Sequence, residues 1–307
     1  MSRTQEVTLY PVNHAPNRTV WLVDTPGFDD TNLNDTDVLK EIATWSTNSY
    51  RKNVKLHGII YLHRISDTRM TGSGMRNLAI FRKLCGPDAL EHVVLATTMW
   101  ESVDAQIGNR REGELRARSE YWGDMIASGS MILRHGNNRE SAMRLIDHFV
   151  DKPAEAATTV LDLQKEMVDK SLSMAMTAAG QSVDGGLLKQ SKQFEKKLTD
   201  LQQELADARQ SNDRKMADLF ERERQKTQAQ LFELAQQRED LQVTLDRLMQ
   251  TKEKMKRRRT GRGIGAALKT INKFRPIIVR IGGRTDSLKR ASLVEQDVSR
   301  VLEFLRD

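Results

Sequence analysis

The chain has 307 residues, of which 38% are hydrophobic, 5% aromatic and 30% charged. This length allows one or two domains, and the low aromatic and high charged fractions favour a compact part joined to a long polar helical part. The single cysteine, Cys85, excludes an internal disulfide, and no run of 18 or more apolar residues is present to span a membrane. We therefore expect a soluble, cytoplasmic protein without a signal peptide.

The net charge of +7 is concentrated in one segment near the C-terminus. Residues 252–290 contain 14 Lys or Arg against two acidic residues, which leaves the rest of the chain net acidic. The basicity therefore belongs to this one segment and not to the fold as a whole.

Residues 1–152 alternate strand-like and helix-like stretches, the pattern of an α/β domain with a mainly parallel sheet. Short apolar runs, such as residues 19–24 and 57–63, are typical of strands that are covered on both faces. The predicted strands are residues 6–12, 19–24, 57–63, 91–98 and 130–135. The predicted helices are residues 35–50, 73–85 and 105–128, the first capped by Asp35 or Asp37 and the second stopped by Gly86-Pro87.

From residue 153 to 251 the chain changes to a helical pattern, beginning with a predicted helix at 154–178. Heptad spacing predicts a self-associating coiled coil over residues 187–250, with a seam that starts at Phe194, Leu198, Leu201, Leu205 and Ala208. Polar residues such as Asn212 interrupt the seam, and leucines then recur in a shifted register. The alternative is a solvated helix that folds back on the α/β domain.

Residues 252–307 form a predicted basic tail with a C-terminal helix at 286–306. Within the tail, residues 252–275 combine a basic block with apolar residues at helical spacing, namely Ile264, Leu268, Ile271 and Phe274. A basic amphipathic helix of this kind can lie on an anionic membrane surface. The alternatives are a nuclear address or a solvated tail, and we do not expect nucleic acid as a partner.

The stretch "VWLVDTPGFDD", residues 20–30, has the form of a buried strand that ends at Asp24 and enters a Pro-Gly turn. A phosphate switch needs a rigidly held acid near Mg²⁺ and a backbone N–H, free of an obstructing side chain, near the γ-phosphate. Asp24 and Gly27 have the required spacing. An ordinary turn at the end of a strand has the same local pattern.

Three sequence blocks in order carry a resemblance to a known family: "VWLVDTPGFDDTNLNDTDVLKEIATW", "GIIYLHRISDTRMTGSGMRNLAIFRKLCG" and "HVVLATTMWE". Residues 4 to about 150 resemble fungal G-domain proteins, relatives of septins and immunity-associated GTPases in the translation-factor-related class. This resemblance implies a Ras-like P-loop NTPase fold, GTP and Mg²⁺ as cofactors, and GTP hydrolysis as the family's activity. A coiled-coil tail is common in such proteins.

On the phosphate side, the resemblance implies that Asp24 holds Mg²⁺ through water and that Gly27 contacts the γ-phosphate. Thr25 belongs to the same nucleotide-binding turn. Thr4, two residues before the first predicted strand, would be the switch threonine that closes over Mg²⁺.

On the base side, "TMWE" lies where the family reads guanine, so the resemblance implies nucleotide contacts for Thr98 and Glu101. A carboxylate such as that of Glu101 can accept hydrogen bonds from guanine N1 and N2. Thr98 and Met99 replace the usual Asn-Lys pair of the family.

The phosphate-binding loop of the family is missing, because no Gly-x-x-x-x-Gly-Lys-Ser/Thr occurs in the chain. The strand that feeds this loop should lie between those at 19–24 and 57–63. Its loss would leave two inward strand edges unpaired. Each unsatisfied buried backbone group would then cost about 1–3 kcal/mol of folding free energy. Two explanations are open: an N-terminally truncated G domain, which we expect, or a pseudo-GTPase with a repaired sheet.

Two functions follow from these patterns. The first is a GTP-binding switch coupled to a coiled-coil arm, with binding impaired by the loss of the phosphate loop. The second is a non-catalytic scaffold that acts through self-association and the basic tail.

We predict that this chain binds GTP poorly or not at all, because the loop that supplies most phosphate contacts is absent. Isothermal titration of the chain with GTP measures this directly. A micromolar dissociation constant would contradict the prediction.

Overall fold

The computed structural model describes residues 6–16, 18–28, 33–152, 158–258 and 277–281. Six strands form its sheet: β1 Thr8–Ala15, β2 Arg18–Asp24, β3 Gly58–Arg64, β4 Val93–Thr98, β5 Met131–Arg134 and β6 Ile277–Ile281. They are arranged in the order β1-β2-β6-β3-β4-β5. Only β1 runs antiparallel to its neighbour, and every other pair is parallel. The predicted α/β class with a mainly parallel sheet is confirmed.

Nine α-helices accompany the sheet in the described part of the chain: α1 Asp35–Arg51, α2 Gly72–Cys85, α3 Ala105–Ala117, α4 Asp124–Ala127, α5 Arg139–Val150, α6 Asp162–Gln164, α7 Ala178–Gln210, α8 Arg214–Leu241 and α9 Leu245–Arg258. Asn34 caps α1 by accepting a hydrogen bond from the Asp37 backbone N–H at 2.9 Å, so the cap is neither Asp35 nor Asp37 but the residue before Asp35. Gly86, at a φ of 77°, ends α2 as predicted. None of the described helices is long and apolar enough to cross a bilayer.

The sheet is covered on both faces, which explains the continuous apolar runs of its inner strands. In β2, Trp21 and Val23 join the core with α1 and α2, whereas Val20 and Leu22 join the core with α5. Side chains alternate between faces along a strand, so a strand that is buried on both sides has no polar alternation. Phe149 of α5 is fully buried in the second core.

The strand β6 was not predicted, and it occupies the gap that the sequence led us to expect. Residues Ile277–Arg280 pair with Trp21–Asp24 of β2, and Ile278–Ile281 pair with Gly58–Tyr61 of β3. The two inward edges are therefore paired. β6 lies within residues 252–307, the predicted tail, but it is part of the central sheet.

Residues 153–251 contain a helical hairpin and not one continuous helix. The chain reverses between α7 and α8 at Asn212, which has a positive φ of 58°. Ion pairs join the two helices in antiparallel fashion, at 3.1 Å for Lys197–Glu223 and 2.6 Å for Arg238–Asp184. The interruption that sequence analysis found at Asn212 is thus the turn of the hairpin.

The seam residues Leu201, Leu205 and Ala208 are buried on the side of α7 that contacts α8. The end of α8 returns to the α/β part, where Asp240 forms an ion pair with Lys40 of α1 at 2.5 Å. These contacts match the alternative of a helix that folds back on the domain. Self-association through residues 187–250 stays a prediction.

Two predicted helices differ from the structure. Of the predicted helix at 154–178, the described residues 158–177 contain the short α6, a π-helical turn at Lys165–Asp169 and a 3-10 turn at Met174–Met176, and α7 begins at Ala178. The reason is that the apolar residues of this stretch pack into the core beneath α1 and α2, and the Gln164 side chain donates to the Ser46 carbonyl at 2.8 Å. The stretch 105–128 is divided into α3 and α4 by a kink at Tyr121. The predicted helices at 264–275 and 286–306 lie outside the described residues.

We expect Gly58→Ala to lower the free energy of unfolding by about 1–3 kcal/mol, because a Cβ there would lie 2.0 Å from the Phe149 ring and would overpack the interface of β3 with α5. Gly113→Ala, in α3, is the matched control. A Cβ at Gly113 meets nothing within 4 Å, so this change should be neutral or stabilising by up to about 1 kcal/mol. Urea unfolding of both variants measures the difference, and equal stability would contradict the packing described for Gly58.

Candidate functional site

The turn that follows β2 lies at the carboxyl edge of the parallel strands, the edge at which open α/β sheets bind ligands. Asp24 ends β2 and is 5% exposed, and Thr25 beside it is 2% exposed. Gly27 is buried as well. Phe28 packs into the core with α1 and α2, which fixes the turn against the sheet. The structure thus brings together three of the predicted nucleotide-binding residues on a rigid support.

The end of β6 lies directly beside this turn. Asp24 is paired with Arg280 of β6 on one side and with Thr8 of β1 on the other. One residue further, β6 ends at Ile281, and the next two residues in the sequence are glycines. A glycine pair after a central parallel strand is the kind of sequence that permits close approach of the backbone to a ligand.

The predicted base-reading residues follow β4 at the same edge of the sheet. Thr98 is 5% exposed, and its hydroxyl donates to the His63 carbonyl of β3 at 3.5 Å. Glu101 is exposed in a short 3-10 turn, Trp100–Ser102, that follows Met99 with its positive φ of 61°. Glu101 is therefore open to a ligand, whereas the Thr98 side chain is engaged in the sheet.

The distance between the two parts of the site follows from the strand order. β6 and β3 lie between β2 and β4, which separates Asp24 and Thr98 by three strand spacings across the sheet, about 14 Å. This span is comparable with the length of a nucleoside triphosphate. Thr4, the predicted switch threonine, lies outside the described residues.

Sequence analysis missed a cluster of side chains that lies at this edge beside the ends of β4 and β5. Arg134, at the end of β5, donates from Nε to both carboxylate oxygens of Glu112 at 3.1 Å, and its guanidinium stacks over the Trp100 ring at 4.1 Å. The Trp100 indole N–H donates to the Thr97 hydroxyl at 3.0 Å. Hydrogen bonding to Glu112 raises the pKa of Arg134, so this cation is permanent.

His135 follows Arg134 and is held in the interior. Its backbone N–H donates to the Thr97 carbonyl at 2.8 Å, and its Nδ1 lies 3.0 Å from the Ser141 hydroxyl of α5. Burial lowers the pKa of His135 to about 4, which keeps the ring neutral at physiological pH. Its role in the described structure is therefore to join β5 and α5.

The fit of Mg²⁺ to this site can be judged from its donors. Mg²⁺ prefers oxygen ligands and commonly takes one or two carboxylates together with substrate phosphates and water. The Asp24 carboxylate and Thr25 hydroxyl at the end of β2 are of this type. Within the ranges that the structure describes, no group of three or more His, Cys, Asp or Glu side chains could hold a metal ion by itself. A magnesium ion here would need the phosphates of a nucleotide.

Comparisons with known proteins provide no family for the chain. No protein-family model matches it, and no curated protein matches it. The case for a function therefore rests on the geometry of the sheet edge and on the residues that the sequence places there.

Stability should fall as the pH drops from 6.5 towards 4, because the unfolded chain then binds a proton at His135 that the folded chain excludes. A folded-state pKa of about 4 against the ordinary 6.5 corresponds to a loss of about 3 kcal/mol when this window is crossed. Burial lowers the pKa values of His57 and His63 to about 4 as well. Replacement of His135 should thus reduce the pH dependence without abolishing it.

The measurement is urea unfolding at pH 6.5 and pH 4.5 for the unaltered chain and for His135→Asn, whose amide can still reach the Ser141 hydroxyl. We expect a smaller loss of stability in the variant. An equal loss in both proteins would contradict the assignment of His135 as a buried neutral group.

Proposed function

We propose that the chain is a GTP-binding protein of the P-loop GTPase type whose phosphate and magnesium contacts are weakened, and that its nucleotide site is coupled to the helical hairpin. The observation that carries the proposal is the place of β6, which lies parallel between β2 and β3. In the fold that the chain resembles, this place belongs to the strand that feeds the phosphate loop. One antiparallel edge strand followed by five parallel strands also supports a Ras-like sheet.

The sequence after β6 supports a degenerate phosphate loop. Gly283 and Lys289 keep the six-residue separation between the first glycine and the lysine of the phosphate-loop pattern. Leu288 and Arg290 replace the second glycine and the Ser/Thr whose hydroxyl reaches Mg²⁺. This segment therefore matches the phosphate-loop pattern only in part. Loss of the hydroxyl ligand supports weak binding of magnesium and GTP.

The roles of the described residues follow from their positions. Asp24, at the rigid end of β2, would hold Mg²⁺ through water, and the backbone N–H of Gly27 would meet the γ-phosphate. Mg²⁺, when bound, neutralises charge on the phosphate oxygens. Glu101, exposed beyond β4, would accept hydrogen bonds from guanine. With Thr98 and Met99 in place of the Asn-Lys pair, we expect little preference for guanine over adenine.

The contacts of α1 support the coupling to the hairpin. α1 begins eight residues after Gly27, and its first turns contact the end of α8 through the Lys40–Asp240 ion pair and a hydrogen bond from the Thr36 hydroxyl to the Gln237 carbonyl at 3.4 Å. A conformational change in the turn after β2 would be transmitted to α8 through α1. Coupling of this kind requires two arrangements of α1, which the experiment below can detect.

The second candidate function is a non-catalytic scaffold. It is favoured by three large apolar side chains that α8 exposes, Met216 at 39%, Leu219 at 51% and Phe232 at 68%. Exposed apolar side chains on a helical arm can mark contacts with other molecules. In this case the nucleotide site would be a remnant, and the hairpin and the basic tail would carry the function.

The proposed function predicts weak binding of GTP that depends on Mg²⁺ and on Asp24. We expect Asp24→Asn to abolish the gain in affinity that Mg²⁺ gives, because the carboxylate that holds the ion is lost. Asp124→Asn is the matched control, since Asp124 is an exposed carboxylate that pairs with Arg82 at 2.9 Å. NMR titration of the full chain with GTP, with and without Mg²⁺, detects binding weaker than micromolar and reports shifts in α1 and α8.

The outcomes separate the two functions. Binding that is strengthened by Mg²⁺ in the unaltered chain and in Asp124→Asn, but not in Asp24→Asn, supports the nucleotide switch. Equal binding by all three proteins would contradict the role of Asp24. No binding at millimolar GTP would favour the scaffold, for which sedimentation of the chain at several concentrations reports self-association.

A further inference from the structure

The middle of the sheet contains a slot whose two walls come from one part of the chain and whose occupant comes from another. The walls are β2, which ends at Asp24, and β3, which begins at Gly58. The occupant, β6, follows β3 by more than 200 residues. Helices α1 to α9 all precede it in the chain.

The walls of the slot also make contacts that do not involve β6. β2 pairs with β1 along its outer edge, and β3 pairs with β4 along six residues. On one face, the residues of β2 and β3 pack into the core with α1 and α2, and on the other they pack with α5. Each wall therefore has other neighbours besides β6, and its inner edge presents a row of backbone donors and acceptors.

The slot suits an extended backbone in one orientation and register. β6 is parallel to both walls, with Val279 paired to Val23 on one side and to Ile59 on the other. Both wall residues are fully buried, so unpaired N–H and C=O groups beside them would have no access to water. Strand addition uses main-chain hydrogen bonds for affinity, and here the added strand is bonded on two sides.

We propose that this slot is a strand-accepting binding site, that its ligand is an extended segment rich in β-branched apolar residues and added in parallel, and that the chain's own Ile277–Ile281 is the occupant. The connection allows this. Residues 259–276 lie between α9 and β6, and 18 residues can span up to about 60 Å when extended. The proposal does not depend on nucleotide binding, and the experiments below involve no nucleotide.

The register of the occupant is tested with cysteine pairs in the full chain. Tyr61 and Ile281 are Cα partners, and in-register neighbours lie about 4.8 Å apart, within the range for a disulfide. We expect Tyr61→Cys with Ile281→Cys to form an intramolecular disulfide on mild oxidation. The matched control combines Tyr61→Cys with Val279→Cys, two residues out of register and more than about 7 Å apart, and should not form one.

The ability of the slot to accept a strand is tested by a substitution that weakens the backbone pairing of β6. Val279→Pro removes a backbone N–H from the middle of β6, whereas Val279→Ile, the control, keeps it. We expect amides in residues 20–24 and 58–62 to exchange at least tenfold faster in Val279→Pro than in Val279→Ile. A synthetic peptide with the sequence of residues 275–283 should slow this exchange again, and a scrambled peptide should not.

Each result bears on the proposal. Unchanged exchange in Val279→Pro, or rescue by the scrambled peptide as well, would overturn it. Equal oxidation of the two cysteine pairs would overturn the register, and a disulfide-linked dimer would overturn the chain's own strand as the occupant. Should Val279→Pro fail to fold, the cysteine pairs decide, because they leave the β6 backbone intact.

Discussion

The ladder that joins β6 to β2 and β3 is the constraint on which the rest of the structure depends. Without it, β1 and β2 would be separated from β3, β4 and β5 by an open strip among residues that are fully buried. The cores on both faces include residues of β2 and of β3, and β6 joins these two strands through their backbones. The ladder also sets Asp24 and Thr98 at one edge and at a fixed separation.

The parts of the fold that follow from local chemistry could be predicted from the sequence. β2, β3 and β4 are continuous apolar runs, and α2 ends where Gly86 adopts a positive φ. β6 could not be recognised in this way, because a run of five residues is too short for its periodicity to distinguish a strand from a helix, and its partners are more than 200 residues away. The turn at Asn212 was visible only as a defect in a heptad pattern, since the partner of α7 follows in the same chain.

The same distinction between local and long-range contacts applies to the candidate site. The turn from Asp24 to Gly27 is local, so its residue types and spacing indicated its place at the end of a strand. The Arg134–Glu112–Trp100 cluster joins β5, α3 and the turn after β4, and no spacing in the sequence indicates that these three side chains meet. The hydroxyl of Thr98 is likewise engaged by a carbonyl of the neighbouring strand, a contact that only the register of β3 and β4 determines.

The position of β6 has a mechanical consequence for the helical arm. The arm leaves the α/β part after α5 and is followed in the chain by a strand at the centre of the sheet, not at its edge. An edge strand can separate by breaking one ladder, but β6 is bonded on two sides. In the chain, the arm therefore lies between α5 and a strand that is bonded on two sides, and α8 contacts α1. In the proposed switch, a ligand at the carboxyl edge beside Asp24 would lie next to the end of β6, and α1 would transmit its effect to α8.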